Sequence, residues 1–170
     1  MSKSMLMSGA TGSGPLRLSR RRLLLAGAAT CFTGASLAAP ATLPTAVSLS
    51  DELAQALKKG SPLLVMVSLE GCPFCKVARE NYLGPLREQQ GLSVVQVDMR
   101  SSRALRDFKG ATLTQDELIR SWRIKVAPTV LFFGLGGVEI AERLVGGYIP
   151  DFYGAYLDDR LRLARATLRS

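Results

Sequence analysis

The sequence predicts an α/β domain in which helices and strands alternate before an antiparallel strand pair and a closing helix. Three observations carry that expectation. Leu63–Leu69 is a charge-free apolar run too short for a helix; a Cys-x-x-Cys step at Cys72 and Cys75 runs straight into helical periodicity; and two strand-like segments, the apolar 128–133 and the mixed 138–145, flank Gly134-Leu135-Gly136-Gly137.

Each element has its own signature. Over 50–60, Ser50 offers a hydroxyl cap, Asp51 and Glu52 put acids in the first turn, Leu53, Ala56 and Leu57 share one stripe, and Lys58, Lys59 and Gly60 close the end. That pattern predicts a short amphipathic helix. Pro62 and Gly71 bracket 63–69 as a buried central strand. From Cys75 to about residue 90, Val77, Ala78, Tyr82, Leu83 and Leu86 recur at three- and four-residue steps, predicting a helix that kinks or breaks at Gly84-Pro85. Leu92–Met99 reads as the next strand. Residues 100–125 are charged and irregular, except that Thr114-Gln115-Asp116-Glu117 matches a capping box ahead of Leu118, Ile119 and Trp122, predicting a helix over about 114–123. The runs 128–133 and 138–145 predict a hairpin, and a last helix over about 151–167 carries Phe152, Ala155, Tyr156, Leu161 and Leu163. Trp122, Phe132 and Phe133 read as core, and Met66 and Met99 as filling side chains.

One domain plus a tail accounts for 170 residues. The formal charge of +8 is concentrated at the start: Lys3, Arg17, Arg20, Arg21 and Arg22 stand where there is no acid, and without them 17 cations face 14 anions. No clustered basic face remains for nucleic acid. The absence of histidine excludes Ser-His-Asp and Cys-His catalysis, HExxH sites and imidazole-ligated metal centres. Arg20-Arg21-Arg22 meets a weakly apolar stretch ending at Ser36-Leu37-Ala38, the layout of a cleaved export signal over 1–38 and one that looks like a twin-arginine signal. The alternatives are an uncleaved membrane anchor at 23–39 and lipidation of Cys31. Residues 39–48, with Pro40 and Pro44, read as a linker, and 49–170 as the folded domain. Cleavage leaves Cys72 and Cys75 as the remaining cysteines, and a bridge across two residues closes too small a loop to staple a fold.

The order of elements behind the cysteine pair resembles the thioredoxin fold over about residues 48–168. The resemblance rests on Glu70-Gly71-Cys72-Pro73-Phe74-Cys75-Lys76 after an apolar strand, on Val126-Ala127-Pro128-Thr129 opening a later strand, and on Gly146-Gly147-Tyr148 before the last helix. It implies a thioredoxin-like fold with a central mixed β-sheet flanked by helices, and the long stretch from Asp98 to Pro128 implies a helical insertion before the strand that Pro128 opens, as in periplasmic thioredoxin-related proteins. It also implies thiol:disulfide oxidoreductase activity.

Thiol exchange needs one accessible sulfur that ionises and a second within reach of it. Placed at a helix N-terminus, the Cys72 sulfur would face unpaired N–H groups that favour the thiolate, which makes it the expected nucleophile. Cys75, one turn inward, is the expected resolving residue, and the Cys72–Cys75 disulfide is the redox centre with no other cofactor and no metal. Pro73 suits the first helical position. Phe74 supplies no charge to the nucleophile, leaving Lys76, Arg79 and Glu70 as nearby ionic groups, so the potential is expected toward the reducing end of the family. By resemblance, Pro128 should follow a cis bond and face the cysteines, with Ala127 and Thr129 beside it to bind an extended substrate segment. Two departures stand out: Met66 occupies the position of the buried acid of thioredoxins proper, and Gly71 that of their tryptophan, so the proton of Cys75 must be handled by water, Glu70 or another group. The expected function is a periplasmic, monomeric reductase of protein disulfide clients recharged by a membrane thiol electron donor. A Cu(I)-handling thiol module is the alternative.

Overall fold

In the computed structural model the described residues are 42–147 and 150–170. The export signal over 1–38, the alternative anchor at 23–39, Cys31 and Tyr148 lie outside them. Among the described residues, no helix is long and apolar enough to cross a membrane.

Helix α1 (Leu49–Lys58) leads into strand β1 (Leu63–Ser68), then α2 (Pro73–Val77), a π-helical turn (78–83) and α3 (Gly84–Gln90). Strand β2 (Val94–Asp98) follows, then a small hairpin of β3 (Ala104–Arg106) and β4 (Thr112–Thr114), helix α4 (Gln115–Ser121), strands β5 (Thr129–Phe133) and β6 (Glu139–Val145), and α5 (Pro150–Arg169). The main sheet has the order β2-β1-β5-β6, with β1 parallel to β2 and antiparallel to β5, and β5 antiparallel to β6.

Strand β1 is central, and all six of its residues are buried. Alternation divides them between two cores. Leu64 and Met66 join Val94, Val130 and Phe132 against Cys75, Ala78, Leu83 and the inner side of α5. Leu63, Val65 and Val67 join Val95, Val97, Leu131 and Phe133 against α1 and α4. The continuous apolar run therefore signals a strand covered on both sides.

Several expectations need correction. The stretch 39–48 is not a spacer throughout: Ala46 N–H donates to Gln96 O at 2.9 Å and Gln96 N–H to Pro44 O at 2.8 Å, while Leu43 and Ala46 are buried. Residues 44–46 thus lie along the free edge of β2, Ser48 bridges to Arg106 of β3, and Ser48, not Ser50, accepts from Asp51 N–H as the cap of α1. The kink or break expected at Gly84-Pro85 takes the form of a π-helical distortion just before it, with no break in the helix. Pro85 has no N–H for the Asn81 carbonyl, and the chain answers by widening the turn just before it into π geometry while Gly84 stays helical. The irregular stretch contains the β3–β4 hairpin as well as α4; its Asp107 carboxylate accepts from Lys109 and Ala111 N–H, and Gly110 takes a φ of +86°, turn chemistry that the sequence carries plainly. The capping box of α4 forms as read, with Thr114 and Glu117 bonded reciprocally, but the helix is shorter than 114–123. Finally, α5 buries Tyr153, Leu157, Leu161 and Ala164, leaving Phe152, Tyr156 and Leu163 exposed.

Phe108, in the hairpin turn, stacks into Phe133 and Trp122, which closes the second core. The glycines linking β5 to β6 serve this contact. Gly136 and Gly137 both hold φ near +70°, but only at Gly137 would a Cβ overlap the Phe108 ring. Gly136→Ala is expected to destabilise by about 1 kcal/mol from the left-handed backbone alone, and Gly137→Ala by roughly 3 kcal/mol because overpacking is added. Paired urea denaturation curves check the ranking.

Candidate active site

The site begins where β1 stops. Ser68 ends the strand, Gly71 turns the chain with a φ of +73°, and Cys72 N–H reaches back to Leu69 O at 3.2 Å. Cys72 caps α2: its backbone is extended, and its sulfur accepts the Cys75 N–H at 3.2 Å. Pro73 occupies the first helical position, where no N–H is needed. The sulfur therefore sits among the unsatisfied donors of a helix start. Cys72 is partly exposed, Cys75 is fully buried, and both are free thiols.

Strand β5 completes the opposite wall. The Ala127–Pro128 bond is cis, and the Ala127 carbonyl lies 3.9 Å from Cys72 Sγ. Pro128 is buried, with its carbonyl accepting from Gly146 N–H at 2.7 Å. Thr129, also buried, donates its hydroxyl to Val126 O at 2.7 Å and anchors the turn. Gly147 fits between Phe74 and Pro128, where a Cβ would approach them at 3.4 and 3.6 Å. Around the sulfur, Phe74, Val77 and Val126 are each 40–49% exposed, a sizeable apolar rim.

On the other side of Cys72 opens a polar cleft of about 1200 Å³. Glu70 and Lys76 border it from the turn and from α2, both exposed. Its floor was not foreseen. Arg79 donates to Gln96 Oε1 at 2.9 Å, Gln96 Nε2 to Asp98 Oδ1 at 2.7 Å, and Arg103 to Asp98 Oδ2 at 3.2 Å. The signal that could have found this chain of groups is the parallel register, which pairs Met66 with Gln96 and Ser68 with Asp98.

The two sulfurs stand in different surroundings. Burial pushes the Cys75 thiol up to about 11, with its hydrogen bond to the Cys72 sulfur acting in the same direction, whereas the Leu69 backbone and the Ser68 hydroxyl favour its thiolate. Burial also raises Tyr153, whose hydroxyl has no hydrogen-bond partner among the described residues and whose ring packs on Tyr82 at 4.9 Å. Tyr153 is a second neighbour of the pair that helix periodicity alone did not disclose. No group of three or more His, Cys, Asp or Glu able to hold a metal ion occurs among the described residues.

Residues 49–160 match the family model of the thioredoxin-like domain. The chain belongs to the thioredoxin-like family. No curated protein sequence matches it. Among solved structures it is similar to a mutant thioredoxin from Halobacterium salinarum NRC-1, at 20% identity over 73% of this chain and 95% of that one with a TM-score of 0.45. It is also similar to Trxlp from Edwardsiella tarda EIB202, at 27% identity over 68% and 98% with a TM-score of 0.43, and to a DsbH oxidoreductase, at 17% over 76% and 88% with a TM-score of 0.49. The fold is that of thiol:disulfide oxidoreductases in general, and an exposed sulfur at a helix start with a buried partner one turn away is an arrangement suited to exchange.

The asymmetry has a measurable consequence. Iodoacetamide at neutral pH is expected to label Cys72 and spare Cys75, with Cys75 labelling in the native protein rising about tenfold per pH unit toward 11. Because the buried thiol keeps its proton above the pH where an unfolded cysteine loses it, native stability should fall between pH 9 and 11 and not below. Peptide mapping after labelling, and denaturation across that window with a Cys75→Ala control, check both.

Proposed function

We propose that this protein is a periplasmic thiol:disulfide oxidoreductase that reduces protein disulfides. The observation that carries the reading is the position of Cys72 Sγ, exposed at the start of α2 and 3.9 Å from the Ala127 carbonyl, with Cys75 buried behind it. A client segment lying along Ala127 in strand fashion brings its disulfide to that sulfur. The Cys72 thiolate attacks, a Cys72–client bond forms, and the other client sulfur leaves and takes a proton. Cys75 then gives up its proton and attacks Cys72 Sγ, expelling the second client sulfur. The client gains two electrons and two protons, and the Cys72–Cys75 pair becomes a disulfide, which a membrane thiol donor returns to the dithiol.

What surrounds the nucleophile supports this direction. Phe74 brings bulk to the client-facing rim but no charge, and Lys76 is exposed, so water screens it. The reduced state gains little extra stabilisation, which favours donation of electrons. Location rests on the sequence pattern of residues 1–38, and a monomer matches the proposed need for an open rim around Cys72. Pro73, Phe74, Lys76 and Glu70 support the turn, while Ala127, Pro128 and Thr129 receive the client.

Insulin reduction with a chemical donor tests the activity: the wild type should turn over and Cys72→Ser should be inactive. Cys75→Ser should accumulate a client bonded to Cys72 in periplasmic extracts. Tight stoichiometric Cu(I) binding without exchange would replace the reductase by a metal-handling module, and a chain still beginning at Met1 in a cytosolic fraction would overturn export. Phe74→His should raise the reduction potential by roughly 30 mV, equal to about 1.4 kcal/mol for a two-electron couple, as read by equilibration with glutathione.

A further inference from the structure

The resolving step demands something of this chain that its core does not obviously provide. Cys75 is fully buried, faces Met66 and other apolar side chains of the first core, and must lose a proton as it attacks Cys72. A proton released in a dry core needs an acceptor, and the buried polar residues among the described ones include no Asp or Glu.

The strand register supplies one at the edge of the core. Ser68 is two residues beyond Met66 on β1 and therefore on the same face, 1% exposed, with its hydroxyl toward the Cys75 sulfur. Its register partner in β2 is Asp98, which shares that face in turn. Paired strands lie about 4.8 Å apart, within reach of a hydroxyl and a carboxylate directly or through one water. Ser68 and Asp98 both line the polar cleft that opens beside Cys72. Asp98 is oriented on three sides, by Gln96, by Arg103 and by its own N–H donating to Gln115 Oε1 at 2.8 Å. Its side chain is 16% exposed, so it meets both the core edge and the solvent of the cleft.

We propose that Ser68 and Asp98 form the proton exit of Cys75, Ser68 touching the sulfur and Asp98 accepting the proton through it. The assignment rests on the oxidoreductase reading. As Cys75 Sγ bonds to Cys72 Sγ, its S–H proton passes to Ser68 Oγ while the Ser68 proton moves to the Asp98 carboxylate. The Cys72–client bond breaks, and its electron pair leaves with the client sulfur, which is protonated. Asp98 discharges into the cleft. Ser68 is a catalytic residue in this step and Asp98 a positioning and relay residue.

Other titratable groups meet the pair from both sides. Tyr153 and Tyr82 approach from α5 and the π-helical turn, and burial of Tyr153 disfavours its ionised form. Glu70 is exposed on the turn and Glu80 belongs to the π-helical turn, so neither shares the sheet row of Ser68. Lys76, Arg79, Arg100 and Arg103 line the cleft as basic side chains.

The test reads the two exchange steps separately. In a Cys31→Ser background, reduced protein is mixed with an aromatic disulfide that releases a coloured thiolate once on attack by Cys72 and again on resolution by Cys75. Asp98→Asn and Ser68→Ala are expected to slow the second release about tenfold near neutral pH and to move its pH profile up by about one unit, leaving the first release within about twofold. Ser68→Thr, which keeps the hydroxyl, should retain the second phase. An unchanged second phase in Asp98→Asn, or a loss of both phases together in a folded variant, overturns the proton exit. Should Ser68→Ala fail to fold, Asp98→Asn decides. Absence of the second release in the parent protein would instead defeat the oxidoreductase reading itself.

Discussion

A thiol buried among hydrocarbon resists ionisation, and the structure sets that thiol within a single helical turn of another that stands partly exposed at a helix start. Nearly everything else in the fold can be understood as holding that inequality. If Cys75 were as open as Cys72, either sulfur could attack first and the captured partner could be released in no set order. Burial of Cys75 on the inner side of α2 prevents this, because its sulfur is covered by the first core.

The inequality depends on where the strands end. Parallel β1 and β2 finish at the same edge of the sheet, and β5, antiparallel to β1, starts there. Three strand termini therefore converge on Cys72: β1 delivers the turn and the cysteine helix, β5 delivers Ala127 and Pro128 on one side, and β2 delivers Gln96 and Asp98 on the other. The two walls differ in character. The β5 side is an apolar rim suited to a polypeptide, while the β2 side is charged and wet. A fully buried β1 makes the convergence rigid, since both of its faces are packed.

Most of this architecture could be read in the chain, and the omissions share a cause. The strand at 63–68, the Cys72 cap and the β5–β6 hairpin are specified by neighbours in sequence: short apolar runs, prolines and glycines at their ends, and a cysteine pair one turn apart. The β3–β4 hairpin escaped because three-residue strands bury a single side chain, Leu105, too little for a periodic signal. The edge contact of residues 44–46 escaped because proline and threonine there resemble a spacer until Gln96 of β2 is present to donate to the Pro44 carbonyl and accept from Ala46 N–H. Tyr153 was hidden by phase: Phe152 and Tyr156 fit an apolar stripe equally well by spacing, and only the position of the sheet decides which side of α5 turns inward. Asp98 was hidden because its meaning lies in register, which places it beside Ser68 across the whole helical crossover from β1 to β2.

Met66 shows how these local choices combine. A carboxylate at that point would be buried on both sides of a central strand, where an unpaired charge is costly and a neutral acid still lacks partners. Methionine removes the burden and packs the core, but leaves Cys75 without a base at close range. Moving the ionic group one strand over and one residue pair toward the edge changes the balance: Asp98 keeps contact with solvent, its carboxylate accepts from Gln96 and Arg103, and Gln115 holds its backbone N–H, so its charge need not be carried by the core. A hydroxyl is the least expensive polar group to leave at the boundary, and Ser68 stands there, buried but next to the cleft. The arrangement separates packing from proton transfer, giving the first to β1 and the second to the edge it shares with β2.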